Sequence, residues 1–356
     1  MDTVIRALDV APLDIPLRSP FGIAGGAQEI ARNLLVTVEL ANGVRGYGEA
    51  APFPAFNGET QAGAQAAIES VRTAIEGADA REWRAIADLL RERIGASGSA
   101  RCAIETAVLD ALTRHYGIPL YVFFGGAGQT LETDMTITTG TVEEAALAAL
   151  DILDRGIRQI KVKIGGSDLQ HDLARITAIR AVAPDAPLIL DGNGGLTAET
   201  TLELLGALCL QQIVPALVEQ PVPADDWEGM RQLARWSGVP IAADETASSA
   251  AHVLRIAFER AAQVINIKLM KTGVVEALEI AAIARAAGLG LMIGGMVESI
   301  LAMTMSAHVA AGLGGFRFVD LDTPLFLAEN PFSGGFVLRG GTIDLSHITA
   351  GHGVNP

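Results

Sequence analysis

Between about Thr133 and Thr323, apolar β-branched runs alternate with Ala- and Leu-rich amphipathic segments, and no other feature constrains the fold so tightly. A strand buried on both faces reads as a continuous apolar run, and parallel neighbours need a long crossover between them, usually a helix. Eight such runs are countable: TDMTITTG, RQIKVKIGG, PLILDGNGG, PALVEQPV, VPIAADET, VINIKLMKTG, GLMIGGMVES and FRFVDLDTP. Their spacing of roughly 25 residues suits a (β/α) barrel. Thr141 with Glu144 has the capping-box pattern of a helix start, and Gly156 fits that helix's stop. The eighth run passes into PLFLAENPFSGGFVL with no closing helix. The expected fold is therefore α/β, a (β/α)7β modified TIM barrel over 127–324, with a tail, 325–356, that returns to complete an N-terminal unit.

That unit, residues 1–126, reads as an α+β capping domain. Val4 to Leu17 and Asn33 to Glu49 are strand-like, the second broken by the turn dipeptide Asn42-Gly43, and a helical region follows from about Gln61 to Tyr116. A formal charge of −15 over 356 residues disfavours a nucleic-acid or anionic membrane partner. The N-terminus has no basic segment followed by an apolar one, and no apolar stretch is long enough to span a bilayer, so the expected compartment is the cytoplasm. Both cysteines, Cys102 and Cys209, lie in helical runs and are expected as buried, reduced core residues. The large apolar fraction permits a homo-oligomer.

Polar residues at the C-terminal ends of barrel strands face a common mouth, so their order is informative about chemistry. Here they read Lys161 and Lys163, Asp191 and Asn193, Glu219, Asp244 and Glu245, Lys268, then Asp320 and Asp322. Taken singly, each acid would serve as well for capping a helix. Three carboxylates on consecutive strands converge, however, and like charges do not sit together dry without a cation between them. An all-oxygen set favours Mg²⁺, one per chain, held by Asp191, Glu219 and Asp244. Lys161 and Lys163 lie two apart on one strand and share a face. Burial of a lysine is costly unless it works or pairs, and a metal and a second ammonium would bring such a lysine toward neutral pKa as a general base. Lys268 stands across the barrel, an arrangement suited to removing a proton from one face of a carbon and delivering it to the other.

With KVKIG, LDGNG, VEQP, ADET, IKLMKTGV and the closing DLDTP in this order, the chain resembles the enolase superfamily, in its muconate lactonizing subgroup, and most closely the dipeptide epimerases. The resemblance covers nearly the whole chain. It implies Asp191, Glu219 and Asp244 as metal ligands, Lys163 and Lys268 as the acid/base pair, and Lys161 as the partner that stabilises enolate charge. Asn193 and Glu245 resemble supporting polar residues, and Thr136 and Met296 resemble substrate-contact positions. Asp320 and Asp322, two apart on the last strand, match a motif that holds the free α-amino group of a dipeptide.

The expected reaction is a Mg²⁺-dependent 1,1-proton transfer at the α-carbon of the C-terminal residue of an L,L-dipeptide, through an enediolate. Rivals on the same scaffold are N-acylamino acid racemase, o-succinylbenzoate synthase and a cycloisomerase, none of which needs the paired aspartates. A metal- or small-molecule-binding protein without catalysis is the alternative of another class. Two loops, SPFGIAGGAQ and APFPAFNGET, are expected over the barrel mouth. Known Ala-Glu epimerases resemble one another in a basic residue within the first loop, and none occurs here between Phe21 and Gln28. Phe21, Ile23, Phe53 and Phe56 would instead line an apolar pocket, favouring non-acidic C-terminal side chains unless Arg18 or Arg32 reaches in from the flanks.

Overall fold

The computed structural model describes residues 2–23, 26–166 and 168–356, with side chains undescribed at 20–23 and 26–27. The chain opens with an antiparallel sheet of β1 (Ile5–Ile23), β2 (Gly26–Leu40) and β3 (Arg45–Ala50), in that order. The expected break at Asn42-Gly43 is the β2–β3 turn, with Gly43 at φ 85° and the Asn42 Oδ1 accepting the Val44 N–H. β1 runs past the expected end at Leu17, because its continuation pairs with β2 up to Ile23↔Gly26. As an edge strand it tolerates Pro12, Pro16 and Pro20, whose missing N–H groups would disrupt a central one. Within the segment expected as the first loop, Phe21, Gly22 and Ile23 thus pair with Gln28, Ala27 and Gly26, residues 24 and 25 lie outside the described residues, and so do the side chains of Phe21 and Ile23.

The short α1 (Pro54–Asn57) sits in the second expected loop, followed by α2 (Gln61–Ile75), α3 (Trp83–Ile94) and α4 (Gly98–Tyr116), so the helical region is three helices. α4 is buried almost throughout and lies directly on β3, where a Cβ on Gly48 would stand 2.0 Å from the Ala103 carbonyl oxygen. After α5 (Leu120–Phe123) and β4 (Thr130–Glu132) the barrel begins.

Its strands are β5 (Met135–Ile137), β6 (Ile160–Lys163), β7 (Leu188–Asp191), β8 (Leu217–Glu219), β9 (Ile241–Ala243), β10 (Val264–Lys268), β11 (Gly290–Gly294) and β12 (Phe316–Val319). All neighbours pair parallel in chain order, and the Asp134 N–H donates to the Val319 carbonyl across the seam between β5 and β12. The crossovers are α6 (Val142–Asp154), α7 (Leu169–Val182), α8 (Ala198–Leu210), α9 (Trp227–Trp236), α10 (Ala250–Glu259), then α11 (Leu269–Thr272) with α12 (Val274–Ala286), and α13 (Ile300–Leu313). α6 begins on the capping box of Thr141 and Glu144, and Gly156 follows its end at φ 80°. Among the described residues no α-helix follows β12, only a 3-10 turn over Thr323–Leu325, so the architecture is a (β/α)7β barrel with an α+β cap. The tail forms β13 (Ser333–Gly334), β14 (Val337–Arg339), β15 (Thr342–Asp344) and β16 (Val354–Asn355). Its strands pair with one another and with β4, and it reaches the cap where His352 Nε2 lies 2.9 Å from the Tyr47 carbonyl oxygen.

Period-two alternation sorts the strand residues. Val162, Leu190, Val218, Ile265 and Ile293 face the helices, while Ile189, Leu217, Ala242, Val264, Met292 and Phe318 close the barrel interior as a small apolar plug. One inward step further along, at Asp191, Glu219, Asp244 and Asp320, the side chains become charged. One cysteine departs from expectation: Cys102 is buried but Cys209 is exposed, because it falls off the stripe of α8 that Leu204, Leu205 and Leu208 bury. Among the described residues no helix is long and apolar enough to cross a membrane.

Candidate active site

Above the apolar plug, Lys161 and Lys163 project from β6, Asp191 and Glu219 end β7 and β8, Asp244 follows β9, and Lys268 ends β10. Register puts Lys163 beside Asp191 and Asp191 beside Glu219. β6 and β10 are separated by β7, β8 and β9 in an eight-strand order, so Lys163 and Lys268 stand on opposite walls with the three acids between them. All six side chains are buried. Room for Lys268 comes from Gly294 on β11, where a Cβ would stand 3.3 Å from Lys268 Cε and 3.0 Å from Asn266 Oδ1.

Each acid is held in the same manner. One oxygen takes a hydrogen bond from the surrounding scaffold: Asp191 Oδ1 from the Asn193 N–H at 3.0 Å, Glu219 Oε1 from Asn266 Nδ2 at 2.7 Å, and Asp244 Oδ1 from Lys271 Nζ at 2.8 Å. The other oxygen faces the ammonium groups. Asp191 Oδ2 lies 2.6 Å from Lys163 Nζ and 2.8 Å from Lys161 Nζ, Glu219 Oε2 lies 2.8 Å from Lys161 Nζ, and Asp244 Oδ2 lies 2.7 Å from Lys268 Nζ. For Glu219 Oε2 and Asp244 Oδ2 the lysine ammonium is the one ion-pair partner, and both oxygens are otherwise buried. Burial and then the Asp191 charge push the Glu219 carboxyl up, whereas Lys268 and Lys271 overcome burial to hold Asp244 down.

Two of the lysines are governed by the acids around them. Burial works to lower Lys161 and Lys268, but the charges of Asp191, Asp320 and Glu219 around the first, and of Asp244 and Glu219 around the second, hold both ammonium groups above their ordinary range. A base near neutral pH is thus not a property of these side chains while the carboxylates have only lysines to pair with. Lys163 also donates to Asn193 Oδ1 at 2.8 Å, and Asn193 Nδ2 donates in turn to Glu245 Oε1 at 3.2 Å. Asn193 and the buried Gln220 both hold positive φ, 41° and 33°, in the loops after β7 and β8, a backbone strain typical of functional sites.

On the opposite side of the mouth, Asp320 Oδ2 accepts from Lys161 Nζ at 2.7 Å, and Asp322 Oδ2 accepts the Thr136 N–H at 2.7 Å. Asp134, Asp320 and Asp322 bring a carboxylate oxygen each within 4.8 Å of one another, so this trio too could hold a cation, a metal ion or an ammonium group. Both oxygens of Asp134 are buried without a donor. Burial, followed by the Asp320 charge, raises the Asp134 and Asp322 carboxyls, while Lys161 outweighs burial at Asp320.

Thr136, Lys161, Lys163, Asn193, Lys268, Met296, Asp320 and Asp322 line one cavity, and Phe53 and Phe56 of the second expected loop close it, the Phe56 ring centroid 4.8 Å from Lys268 Nζ. Its volume is about 30 Å³, room for a single water. Phe53 also borders a larger cavity of about 910 Å³ among cap residues including Ile30, Arg32, Pro52 and Gln61. Arg18 Nε is taken by the Leu327 carbonyl at 2.9 Å, and Arg32 pairs loosely with Asp14 at 4.0 Å. Sequence reasoning missed Lys271, Asn266, Gln220, Asp134 and Glu298. Asn266 was within reach, two residues before Lys268 on the same strand face. Lys271, a cation three residues after Lys268, carried a weaker signal.

The C-terminal 143–356 match the family model described as enolase C-terminal domain-like, and 5–125 match the N-terminal domain of mandelate racemase / muconate lactonizing enzyme. An aromatic dipeptide epimerase of Herpetosiphon aurantiacus is 57% identical over 355 residues, covering 100% of this chain and 99% of that protein. An L-Ala-D/L-Glu epimerase of Thermotoga maritima is 39% identical over 321 residues, 90% of this chain and 92% of its own length. The solved dipeptide epimerase of Enterococcus faecalis V583, complexed with Mg and L-Leu-L-Tyr, is 33% identical, with a TM-score of 0.95, over 99% of this chain and 100% of that one. With the motifs, the barrel and these relatives in agreement along its whole length, the chain belongs to the mandelate racemase/muconate lactonizing enzyme family of the enolase superfamily and is a dipeptide epimerase, an isomerase.

Proposed function

We propose that the enzyme inverts the α-carbon of the C-terminal residue of L,L-dipeptides by 1,1-proton transfer, with a preference for aromatic or other hydrophobic residues there. The observation that carries this reading is the placement of Lys163 and Lys268 on opposite walls of one cavity. A carbon held between them is open to one lysine on each face, so one removes the proton and the other returns a proton from the opposite side. Lys161, paired with acids from three strands, supplies fixed positive charge where negative charge develops on the substrate carboxylate. Asp320 and Asp322 offer the free amino group two carboxylates at the far end.

Asp191, Glu219 and Asp244 are the residues that would hold Mg²⁺. They fit it: a hard all-oxygen set, each acid tied to the scaffold through one oxygen, and each remaining oxygen buried with only lysine ammonium groups against it. Bound there, the ion would supply charge stabilisation to the substrate carboxylate. The trio Asp134, Asp320 and Asp322 we assign to the substrate ammonium, because Asp320 and Asp322 match the paired aspartates expected for the amino group and lie on the side of the cavity away from Asp244. Mg²⁺ titration separates the two: Asp244→Asn should lose binding and Asp134→Asn should keep it, and the reverse result moves the metal to the other trio.

The hydrophobic preference rests on Phe53 and Phe56 at the cavity and on the engagement of Arg18 by the tail. Three relatives point the same way: the aromatic dipeptide epimerase of Herpetosiphon aurantiacus and the hydrophobic dipeptide epimerases of Citrifermentans bemidjiense and Enterococcus faecalis. A second reading, an acidic C-terminal residue, is favoured by Arg32 in the adjoining larger cavity and by the Thermotoga maritima relative. Screening an L,L-dipeptide library in D₂O by mass exchange decides: incorporation chiefly into dipeptides ending in Phe, Tyr or Leu supports the first reading, and incorporation chiefly into those ending in Glu overturns it.

A further inference from the structure

Lys271 is a cation placed against the acid cluster that the proton-transfer scheme does not use. It lies on α11, the single turn that follows β10 directly, and its side chain is 3% exposed. Its ammonium donates to Asp244 Oδ1 at 2.8 Å, the Asp244 carbonyl at 2.7 Å and the Asn266 carbonyl at 2.8 Å. An ammonium has three N–H bonds, and all three are committed. None remains for a substrate, so Lys271 is excluded from proton transfer, in contrast to Lys268, whose one acid contact is Asp244 Oδ2. The two lysines thus divide one carboxylate between them, Lys271 on the scaffold side and Lys268 on the cavity side.

The carbonyl contacts add a second constraint. Asp244 is one residue beyond the end of β9, where no ladder bond fixes the strand, and Lys271 ties its main chain to that of β10. Asn266 acts in parallel on Glu219, donating to Oε1 and leaving Oε2 to face the cavity side, where Lys161 Nζ lies 2.8 Å away. From beyond, the cap presses α11 into place: Gly98 of α4 comes so close that a Cβ there would stand 2.3 Å from the Lys271 carbonyl oxygen.

We propose that Lys271, with Asn266, is a positioning residue for the divalent cation, fixing which oxygen of Asp244 and of Glu219 faces it. This role rests on the assignment of Asp191, Glu219 and Asp244 as the metal ligands. Two effects of removing Lys271 oppose each other. Loss of a nearby positive charge would tighten Mg²⁺ binding, whereas loss of the donor leaves Asp244 Oδ1 buried and unpaired, free to rotate the carboxylate away. The saturated geometry makes orientation the larger effect, since outer partners of metal ligands are commonly worth about ten- to a hundredfold in metal affinity.

The test is calorimetric titration of MgCl₂ into wild type, Lys271→Met and Asn266→Leu, with circular dichroism and the metal-free Tm of each. Wild type should bind one Mg²⁺, and each variant that folds metal-free should bind it about ten- to a hundredfold more weakly. Failure of wild type to bind Mg²⁺ overturns the metal assignment and this role with it. Binding by wild type that is equalled or bettered by the folded variants overturns this role alone. A lowered metal-free Tm with unchanged affinity, or loss of the fold in both variants, makes the residues structural and likewise overturns it.

Discussion

Side-chain chemistry here is decided by how charge is shared among few donors. On the proposed scheme Lys163 and Lys268 serve opposite faces, so Ala at either position should lower epimerisation by about 10²- to 10⁴-fold, the usual worth of a general acid or base. Each single variant should still exchange the α-hydrogen of one epimer with D₂O, because the remaining lysine abstracts and returns a proton on its own face. NMR of each epimer in D₂O checks this, and near-native epimerisation by both variants would sink the two-base scheme. For the amino-group site, Asp320→Asn and Asp322→Asn should weaken dipeptide binding by about 2–5 kcal/mol, as when one member of a buried charge pair is truncated. An N-acetylated dipeptide, which has no ammonium, should lose far less, and equal losses for both ligands would return the aspartates to a structural role. Most of this constellation was readable from residue order alone, because barrel strands put alternate residues at one mouth. Lys271 and Asp134 were not, since a lysine on a helical turn and an acid ahead of its strand have no periodicity to mark them.

At the level of elements, patterns of period two and caps were sufficient for the barrel. Thr141 and Glu144 mark the start of α6 in sequence and in space. The cap was harder to read, because β1 continues through Pro16 to Ile23 against local turn preference and is carried there only by pairing with β2. Helix α4 shows a tertiary constraint invisible to propensity: small residues Ala103, Ala107 and Ala111 meet Gly46 and Gly48 of β3 at backbone contact. Gly48→Ala should therefore destabilise the fold by about 1–3 kcal/mol, the usual cost of overpacking. Urea unfolding reads this as a lower midpoint with unchanged slope, and an unchanged midpoint would mean the helix slides aside without cost.

Cap and barrel are joined through buried acids. Glu49 of β3 accepts from Asn33 and from the Ser299 and Ala302 N–H groups, capping α13 across the junction. Glu298, beside it, accepts the Met296 N–H at 2.7 Å and has its other oxygen buried without a donor. Burial pushes Glu298 up to about 8, and likewise Glu105, under α12, to about 7. A carboxyl whose folded pKa exceeds its unfolded value binds its proton more tightly when folded. The stability from that proton is complete below the unfolded pKa, near 4.5, and is lost as pH rises toward 7 or 8. Across that window Glu298 alone should give a loss of about 1.4 kcal/mol per pH unit at most. Glu298→Gln should flatten the decline in metal-free protein between pH 5 and pH 8 as followed by urea titration, and parallel profiles would refute the assignment.

The aromatic closure has a kinetic meaning. With a cavity of about 30 Å³ and the Phe56 ring 4.8 Å from Lys268, a dipeptide is expected to enter only when that ring swings out. Capture is then a two-stage event, in which a first-order opening of the protein precedes encounter. Stopped-flow association should level off at high dipeptide concentration, at a ceiling set by the opening, and Phe56→Ala should lift that ceiling; a rate that climbs without limit in wild type would show that the ring is no barrier. The same ring shields the acid/base lysine from water between turnovers, so an enzyme that opens more freely should also leak more solvent hydrogen into its product.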